Sequence, residues 1–250
     1  MRPTEEGATL YRHARTILKQ FDQMRDEVAR GEYNEAGQVA VGLPTSIAAI
    51  IAVLLFHRLQ STYPGIELEL FESVSGYLIE LLANGRLDMA VLFRETETRG
   101  VTVTPMFNEF LSLCGVASIG DSTSDRIRLR EVSDVPLVLP GKANGLRLLV
   151  ERVFAREGLI LNAVADIDSL PTILALAREG SVGTILSVAL ARHASASVLG
   201  RRLIEPELKR TVSLCVPNAN PQNSASRAVQ NAIRDIVRQH SHMWDVAPSS

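Results

Sequence analysis

The sequence predicts a two-lobed α/β fold with a double crossover, preceded by a long N-terminal helix. The first thirty residues show an apolar repeat of helical period, and two successive strand–helix–strand–helix–strand patterns follow it. Two long extended runs, one between these patterns and one after them, would carry the chain from the first lobe to the second and back. These three observations together define the fold class.

The N-terminal helix is predicted from apolar residues that are spaced alternately four and three apart, the a/d spacing of a coiled coil. They are Leu10, Ala14, Ile17, Phe21, Met24 and Val28. Thr4 is the predicted N-cap, and Gly31 ends the helix before a linker over 33–37. A helix that lies on its own domain is the alternative, because surface helices show similar stripes. We favour self-association, since Tyr11 and Leu18 widen the apolar face and such a helix is unstable alone in water.

The first repeat begins directly after the linker. We predict strands over Gln38–Leu43, 66–72 and Leu87–Phe93, and helices over Ile47–Leu59 and Tyr77–Leu82. Alternation of strands with helices of this length indicates a parallel sheet with crossover helices.

The second repeat has the same order. Its predicted strands and helices are Val135–Leu139, Leu146–Glu157, Ala163–Ile167, Leu170–Arg178 and Val182–Leu186. Two similar units in tandem indicate two lobes rather than one continuous sheet.

The extended runs Phe107–Ala117 and Arg210–Pro217 are the predicted crossovers. After the second run the chain would return to the first lobe, where the helix Ser224–Arg238 would pack through Ala228, Ile233, Ile236 and Val237. A double crossover makes a hinge with a cleft between the lobes, and such clefts are favoured sites for small ligands.

Composition and charge exclude several classes of protein. The 250 residues include 26 lysines and arginines and 28 aspartates and glutamates, which gives a net charge of −2. A protein that binds nucleic acid over its whole surface would be basic. Two cysteines, Cys114 and Cys215, exclude a disulfide framework. Met1–Arg15 does not resemble a secretory signal, and the apolar run Ile47–Phe56 is too short to span a bilayer. We therefore expect a cytoplasmic protein with reduced thiols.

No catalytic pattern is present in the sequence. A Gly-x-Ser-x-Gly elbow, a phosphate loop and a Gly-x-Gly-x-x-Gly motif are all absent. His240 and His242 could bind a metal but lie in a polar tail, and Asp166 and Asp168 could hold a cation but are explained more simply as a strand end that runs into a helix cap. We therefore expect no catalytic residue, no metal, no cofactor and no enzymatic activity.

Binding chemistry is predicted at helix starts. Thr45 and Ser46 follow the first strand, where hydroxyls and unpaired backbone N–H groups suit an anion. Plain N-capping explains the same residues at least as well. The arrangement recurs at Asp168-Ser169 and, less clearly, at Asn144. Several helix starts that point at one cleft would favour a small carboxylate or a similar anion.

The order and spacing of several short motifs resemble LysR-type transcriptional regulators over nearly the whole chain. These motifs are Thr4-Glu5-Glu6-Gly7 with Leu10, Ala14 and Ile17-Leu18; Gln38–Leu43; Tyr63-Pro64-Gly65; the "G-x-L-D" motif in Asn84–Asp88; the "L-R…F…G" helix from Leu146-Arg147 to Gly158; and Asp168-Ser169 with Gly180–Leu186. The stretch Thr4–Gln20 is similar to the branch of that family that controls nitrogen or sulfur assimilation.

The resemblance implies a fold like that of type 2 periplasmic binding proteins, with a small effector in the cleft, dimers through the linker helix and tetramers through the effector domains. It implies a linker helix over 1–36 and an effector-binding domain over 37–250, with lobe I at 37–112 and 216–250 and lobe II at 113–215. By position it implies effector contacts from Thr45, Ser46, Phe93, Pro140, Ser169 and Thr184.

The chain departs from the family pattern in two places. Val182 and Ser187 stand where the family often has a second glycine and a closing proline, which alters the expected loop around Thr184. The winged helix-turn-helix that reads DNA in this family has no counterpart ahead of Thr4, so we expect these residues alone not to bind an operator.

Two other classes of protein fit part of the sequence. A free-standing solute-binding protein of the same architecture would be exported and monomeric, which the polar N-terminus and the heptad helix oppose. An enzyme with a similar two-lobed sheet would need a clustered acid and base, which the sequence does not show. The sequence therefore favours the sensor and oligomerisation part of a transcription regulator.

Overall fold

The structure is a computed structural model. It describes residues 4, 6–7, 10–11, 14, 17–18, 21, 24, 35–97, 100–116, 124–193, 201–218 and 223–244. Two compact units make up the chain: unit 1 comprises Met1–Pro44, Ile51–Met106 and Ser213–Gln239, and unit 2 comprises Thr45–Ile50, Phe107–Val212 and His240–Ser250.

From residue 35 onward, the described strands and helices alternate much as the sequence predicts. In chain order they are β1 (Gly37–Leu43), α1 (Thr45–Thr62), β2 (Ile66–Glu72), α2 (Ser75–Ala83), β3 (Met89–Phe93), β4 (Val101–Cys114), β5 (Arg126–Arg128), α3 (Leu129–Val132), β6 (Leu137–Leu139), α4 (Gly145–Arg156), β7 (Ala163–Asp166), α5 (Leu170–Glu179), β8 (Thr184–Ser187), α6 (Val188–His193), β9 (Arg201–Glu205), β10 (Lys209–Pro217), α7 (Ser224–Gln239) and α8 (Ser241–Trp244). Each strand and helix predicted for the two repeats is present, with ends shifted by up to three residues.

The described residues of the N-terminal segment confirm a helix that begins at Thr4. Described positions from Glu6 to Met24 are helical, and the Gly7 N–H donates to the Thr4 Oγ1 at 3.1 Å, the bond of an N-cap. The large apolar side chains of this helix are 53–71% exposed: Leu10, Tyr11, Ile17, Leu18, Phe21 and Met24. Val28, Gly31 and Tyr33 lie outside the described residues. The apolar face therefore remains exposed to solvent in a single chain.

Unit 1 is a mainly parallel sheet with helices packed on it. Strand β1 pairs in parallel with β2 and with β3, which confirms the predicted crossover units. The strand order is β2-β1-β3-β10-β4, so β2 lies at an edge. This position agrees with the 37% exposure of Leu70 on β2. Helix α7 packs against β1, and its predicted contact residues Ala228, Ile233, Ile236 and Val237 are all buried.

The "G-x-L-D" motif fixes the start of β3 against β1. Asp88 is 3% exposed, and its Oδ2 accepts the Ala40 N–H at 2.9 Å while its own N–H donates to the Ala40 carbonyl at 2.8 Å. A hydrogen bond from a buried backbone N–H to a carboxylate is worth more than one between neutral groups. The aspartate of the motif is therefore a structural residue of unit 1.

Replacing Asp88 with alanine leaves the buried Ala40 N–H without this acceptor. We expect Asp88→Ala to lower the free energy of unfolding by about 1.5–3 kcal/mol, measured from the midpoint of urea unfolding. The control is Glu67→Ala on the edge strand of the same unit, where the side chain is exposed. Equal midpoints for the two variants would contradict a structural role for the Asp88 carboxylate.

Unit 2 differs from the expected second copy of the first repeat. Strands β6 and β7 pair in parallel, as predicted. The third predicted strand, Val182–Leu186, meets β6 in parallel through the bridge from Leu137 to Gly183, as predicted. From Thr184 onward this strand, β8, also pairs antiparallel with β4, which the sequence did not predict. Short elements that the sequence did not predict, among them β5 and β9, complete the sheet at its other end.

The two long runs confirm the predicted crossovers. Strand β4 has residues in both units, and it begins at Val101, six residues before the predicted start at Phe107. Strand β10 likewise runs from unit 2 into unit 1 and matches the predicted run closely. Ala117, the predicted end of the first run, lies outside the described residues.

Helix α1 is longer than the apolar run that predicts it. Its 18 residues reach the length and hydropathy at which a helix could cross a membrane, on length and composition alone. Its side chains Ile47, Ile51, Leu55 and Leu59 are buried in the fold, as in the core helix of a globular domain.

Candidate functional site

Helix α1 begins without a side-chain cap. Pro44 occupies the N-cap position in extended geometry (φ −61°, ψ 145°), and no side-chain hydrogen bond caps the helix. Thr45 and Ser46 are therefore its first two helical residues, and both are half-buried. The N-terminal N–H groups of a helix have no partner inside it, and Pro44 itself has no N–H to contribute. The N-capping interpretation is wrong here, and this helix start has both hydroxyls and N–H groups to offer a ligand.

The other two predicted helix starts are capped by their own side chains. The Asn144 Oδ1 accepts the Leu146 N–H at 2.9 Å at the start of α4. The Ser169 Oγ accepts the Thr172 N–H at 3.4 Å and the Thr172 hydroxyl at 2.9 Å at the start of α5. The capping interpretation is therefore confirmed at both of these positions.

Pro140 and Ser169 are brought to the same edge of unit 2. Pro140 follows β6 and Ser169 follows β7, and the carboxyl ends of these two parallel strands lie side by side. The Asp168 Oδ1 accepts the Gly141 N–H at 2.9 Å and ties the two loops together. The sequence did not predict this bond, although the aspartate before the helix cap was a visible signal.

The two carboxylates considered for a cation have separate partners. The Asp166 Oδ1 pairs with the Arg147 Nη1 at 3.0 Å, whereas Asp168 bonds the backbone of Gly141. Arg147 is almost fully buried and also pairs with Glu151 at 2.7 Å. Within the described ranges no three histidines, cysteines, aspartates or glutamates are grouped as metal ligands, and the rings of His240 and His242 lie 6.1 Å apart.

Thr184 lies deeper than the other candidate residues of unit 2. Leu137 bridges Gly183 in parallel, so Thr184 lies beside Val138. Pro140 is two residues beyond Val138, just after the end of β6, which puts it about 7 Å beyond Thr184 in the strand direction. Thr184 is fully buried, and its Oγ1 has no hydrogen-bond partner among the residues that the structure describes. The candidate Phe93 ends β3 in unit 1, whereas Thr45, Ser46, Pro140, Ser169 and Thr184 all belong to unit 2.

Ser187, which stands where the family often has a proline, forms a hydrogen bond at the end of β8. Ser187 closes β8, and its Oγ accepts the Leu190 N–H at 3.1 Å. This bond satisfies an N–H at the start of α6. A proline at this position could not supply it, because proline has no hydroxyl.

Both cysteines are buried and free of disulfides. Burial raises the pKa of the Cys215 thiol to about 11, against a smaller opposite effect of Arg94. A thiol with a raised pKa is protonated at neutral pH and is a poor nucleophile. The Cys215 thiol therefore lies in an environment that disfavours reactivity.

Comparison with known proteins places the chain in a family. The family model described as the LysR substrate binding domain matches residues 34–238. The nitrogen assimilation regulatory protein Nac of Escherichia coli K12 is 28% identical over 250 residues, which cover 98% of this chain and 81% of Nac.

Solved structures show the same fold at lower identity. The C206 mutant of OxyR from Corynebacterium glutamicum superposes with a TM-score of 0.75 and 17% identity, over 96% of this chain and 77% of that one. The effector binding domain of QuiR in complex with shikimate gives a TM-score of 0.69 and 17% identity, over 82% of this chain and 99% of that one. The chain belongs to the LysR family of transcriptional regulators, and it carries the effector-binding domain of that family in its periplasmic-binding-protein-like α/β fold.

Proposed function

We propose that this effector-binding domain recognises a small carboxylate or a similar anion and thereby controls transcription in the cytoplasm. The observation that carries the proposal is the start of α1, which has no side-chain cap. The hydroxyls of Thr45 and Ser46 lie there beside N–H groups that have no partner inside the helix. The positive end of the helix dipole favours a negative charge at this place. The proposed contact residues are Thr45, Ser46, Phe93, Pro140, Ser169 and Thr184.

The charges of unit 2 favour α1 over the other helix starts as the anchor of the anion. The Asp168 carboxylate lies against Gly141, where it would repel a second negative group. The Asn144 and Ser169 side chains already accept N–H groups of their own helices. Thr184 supplies a further hydroxyl whose oxygen has no partner among the described residues. The bound shikimate of the QuiR effector domain, itself a carboxylate, supports this class of ligand.

The mechanism follows from differential binding. An effector that binds one conformation of the domain more tightly shifts the population toward that conformation, and the ratio of the two affinities limits the size of the shift. DNA would be contacted only through the N-terminal domain of the family. The similarity to Nac favours nitrogen assimilation as the process under control.

The test of this site is a pair of substitutions at the start of α1. Thr45→Val together with Ser46→Ala removes both hydroxyls with little change in volume, and we expect the dissociation constant of the effector to rise at least tenfold, or about 1.4 kcal/mol. Acetate, succinate and shikimate are compared by the rise in melting temperature, and the best of them is titrated by calorimetry.

The matched control lies at the other end of the same helix. Ser61→Ala with Thr62→Val removes the same two hydroxyls from exposed positions and should leave the dissociation constant unchanged. A carboxylate that binds both double variants with the affinity of the wild type would contradict the proposed site.

We also propose that residues 1–36 form a dimerisation helix and residues 37–250 the effector domain, so that the protein is a homodimer or homotetramer. The exposed apolar face of the N-terminal helix supports this division, because such a face is stable in water only when it is covered. A monomeric solute-binding protein would not need that face.

A further inference from the structure

Arg202 is a buried arginine on the core side of the sheet in unit 2. It lies on β9 directly opposite Leu113 of β4, and residues paired in this way project from the same face. Ile204, two residues further along β9, shares that face. Leu113 and Ile204 both belong to the hydrophobic core of unit 2. Arg202 is 9% exposed, and its neighbours on this face of the sheet are apolar.

The guanidinium of Arg202 differs from the other buried guanidinium groups of the chain. Arg147 pairs with Glu151 and Asp166, and the mostly buried Arg210 pairs with Glu109 at 2.6 Å. The guanidinium of Arg202 forms no hydrogen bond or ion pair with any residue that the structure describes, and its Nη2 is fully buried.

A buried unpaired guanidinium is energetically unfavourable, because arginine keeps its positive charge inside proteins. Removing such a charge from water without a counter-charge is destabilising. The planar fork of N–H donors matches the oxygen pairs of carboxylates, phosphates and sulfates. An oxyanion is therefore the partner that satisfies this group.

This position is separate from the proposed effector site. From Pro140 at the end of β6, the sheet passes through β8 and β4 before it reaches β9. Three strand spacings put the backbone of Arg202 about 14 Å from β6.

We infer that Arg202 is the anchor of a second anion site in unit 2, which takes a small oxyanion from solution. The site goes beyond the proposed effector site, because it uses neither α1 nor the loops after β6 and β7. The domain would then bind a second small anion in addition to its effector.

The experiment measures binding of sulfate and of acetate by the rise in melting temperature and by calorimetry, with ionic strength held constant with chloride. Arg202→Met keeps the apolar stem and removes the charge, and Arg152→Met is the control at an exposed arginine of α4. Each variant is made in the wild-type chain and in the Thr45→Val/Ser46→Ala chain. This comparison distinguishes anion binding at Arg202 from anion binding at the start of α1.

We expect one of the two anions to bind the wild-type and Arg152→Met proteins, and the dissociation constant of the Arg202-dependent site to rise at least tenfold in Arg202→Met in both backgrounds. In anion-free buffer Arg202→Met should melt at or above the temperature of the wild type, because it removes a buried unpaired charge. Persistence of the effect in the Thr45→Val/Ser46→Ala background would support the second site even if the effector proposal failed.

Three results would overturn the inference. The first is that neither anion binds the wild type, and the second is that Arg202→Met binds both as tightly as the wild type does. The third is that Arg202→Met melts well below the wild type in anion-free buffer. That result would mean that the guanidinium already has a stabilising partner within the protein.

Discussion

We expect the replacement of Ile17 and Phe21 with aspartate to convert the proposed dimer into a monomer. Both side chains lie on the exposed apolar face of the N-terminal helix, at positions of the heptad stripe. Burial of a large apolar side chain is worth about 1.5–3 kcal/mol, and a dimer would lose four of them. We therefore expect the dimer dissociation constant to rise by at least about 1,000-fold, measured by sedimentation velocity over a range of concentrations.

The conservative substitutions Ile17→Leu and Phe21→Leu are the control for that experiment. They keep the face apolar and should leave the protein associated. If the aspartate variant sedimented as the wild type does, the N-terminal helix would not be the dimerisation element. If the wild type itself sedimented as a monomer, the solute-binding alternative would gain support.

Phe154→Ala is expected to be the most destabilising single substitution in unit 2. Phe154 is 1% exposed and belongs to the core cluster, together with Leu146 and Val150 on the same helix. These residues are four apart and so lie on one face of α4. Truncation of a buried phenylalanine removes its contacts and leaves a cavity, so we expect a loss of about 3–5 kcal/mol in unfolding free energy.

Urea unfolding measures this loss, with Ile160→Ala as the control. Ile160 is 85% exposed in the same unit, and its truncation should change the unfolding free energy by less than about 0.5 kcal/mol. A small effect of Phe154→Ala would mean that the "L-R…F…G" motif does not hold the core of unit 2.

The parts of the fold that could be predicted from sequence are those with a repeated pattern. The heptad stripe predicted the N-terminal helix. The helix predicted over Leu146–Glu157 is α4, and its buried apolar residues Leu146, Val150 and Phe154 are four residues apart. Strand β1 was predicted from alternating residues that are rich in valine, and β3 from a continuous apolar run; in the structure both are buried on both faces.

Short strands could not be predicted because three to five residues are too few to establish a pattern. Strand β5 is the run Arg126–Arg128, and β9 begins with two adjacent arginines. Nothing in such a pair shows which arginine is buried. The inward position of Arg202 depends on the pairing of β9 with β4, a contact between residues far apart in sequence.

The candidate site was predictable only in part. Thr45 and Ser46 are hydroxyl residues at a helix start, but the sequence left open whether they cap the helix. The structure decides this, because Pro44 takes the N-cap position and moves both hydroxyls into the first turn. At Asn144 and Ser169 the same residue types do cap their helices. Asn144 and Ser169 occupy the N-cap position itself, whereas Thr45 lies one residue after it.

Hydrogen–deuterium exchange tests most directly whether the effector binds at the start of α1. The protein is compared with and without saturating amounts of the carboxylate that most raises its melting temperature. We predict slower exchange at the amides of Thr45, Ser46 and Ile47, which have no partners inside the helix, and unchanged exchange near Thr62. Saturation by the carboxylate with no protection at residues 45–47 would contradict the proposed site.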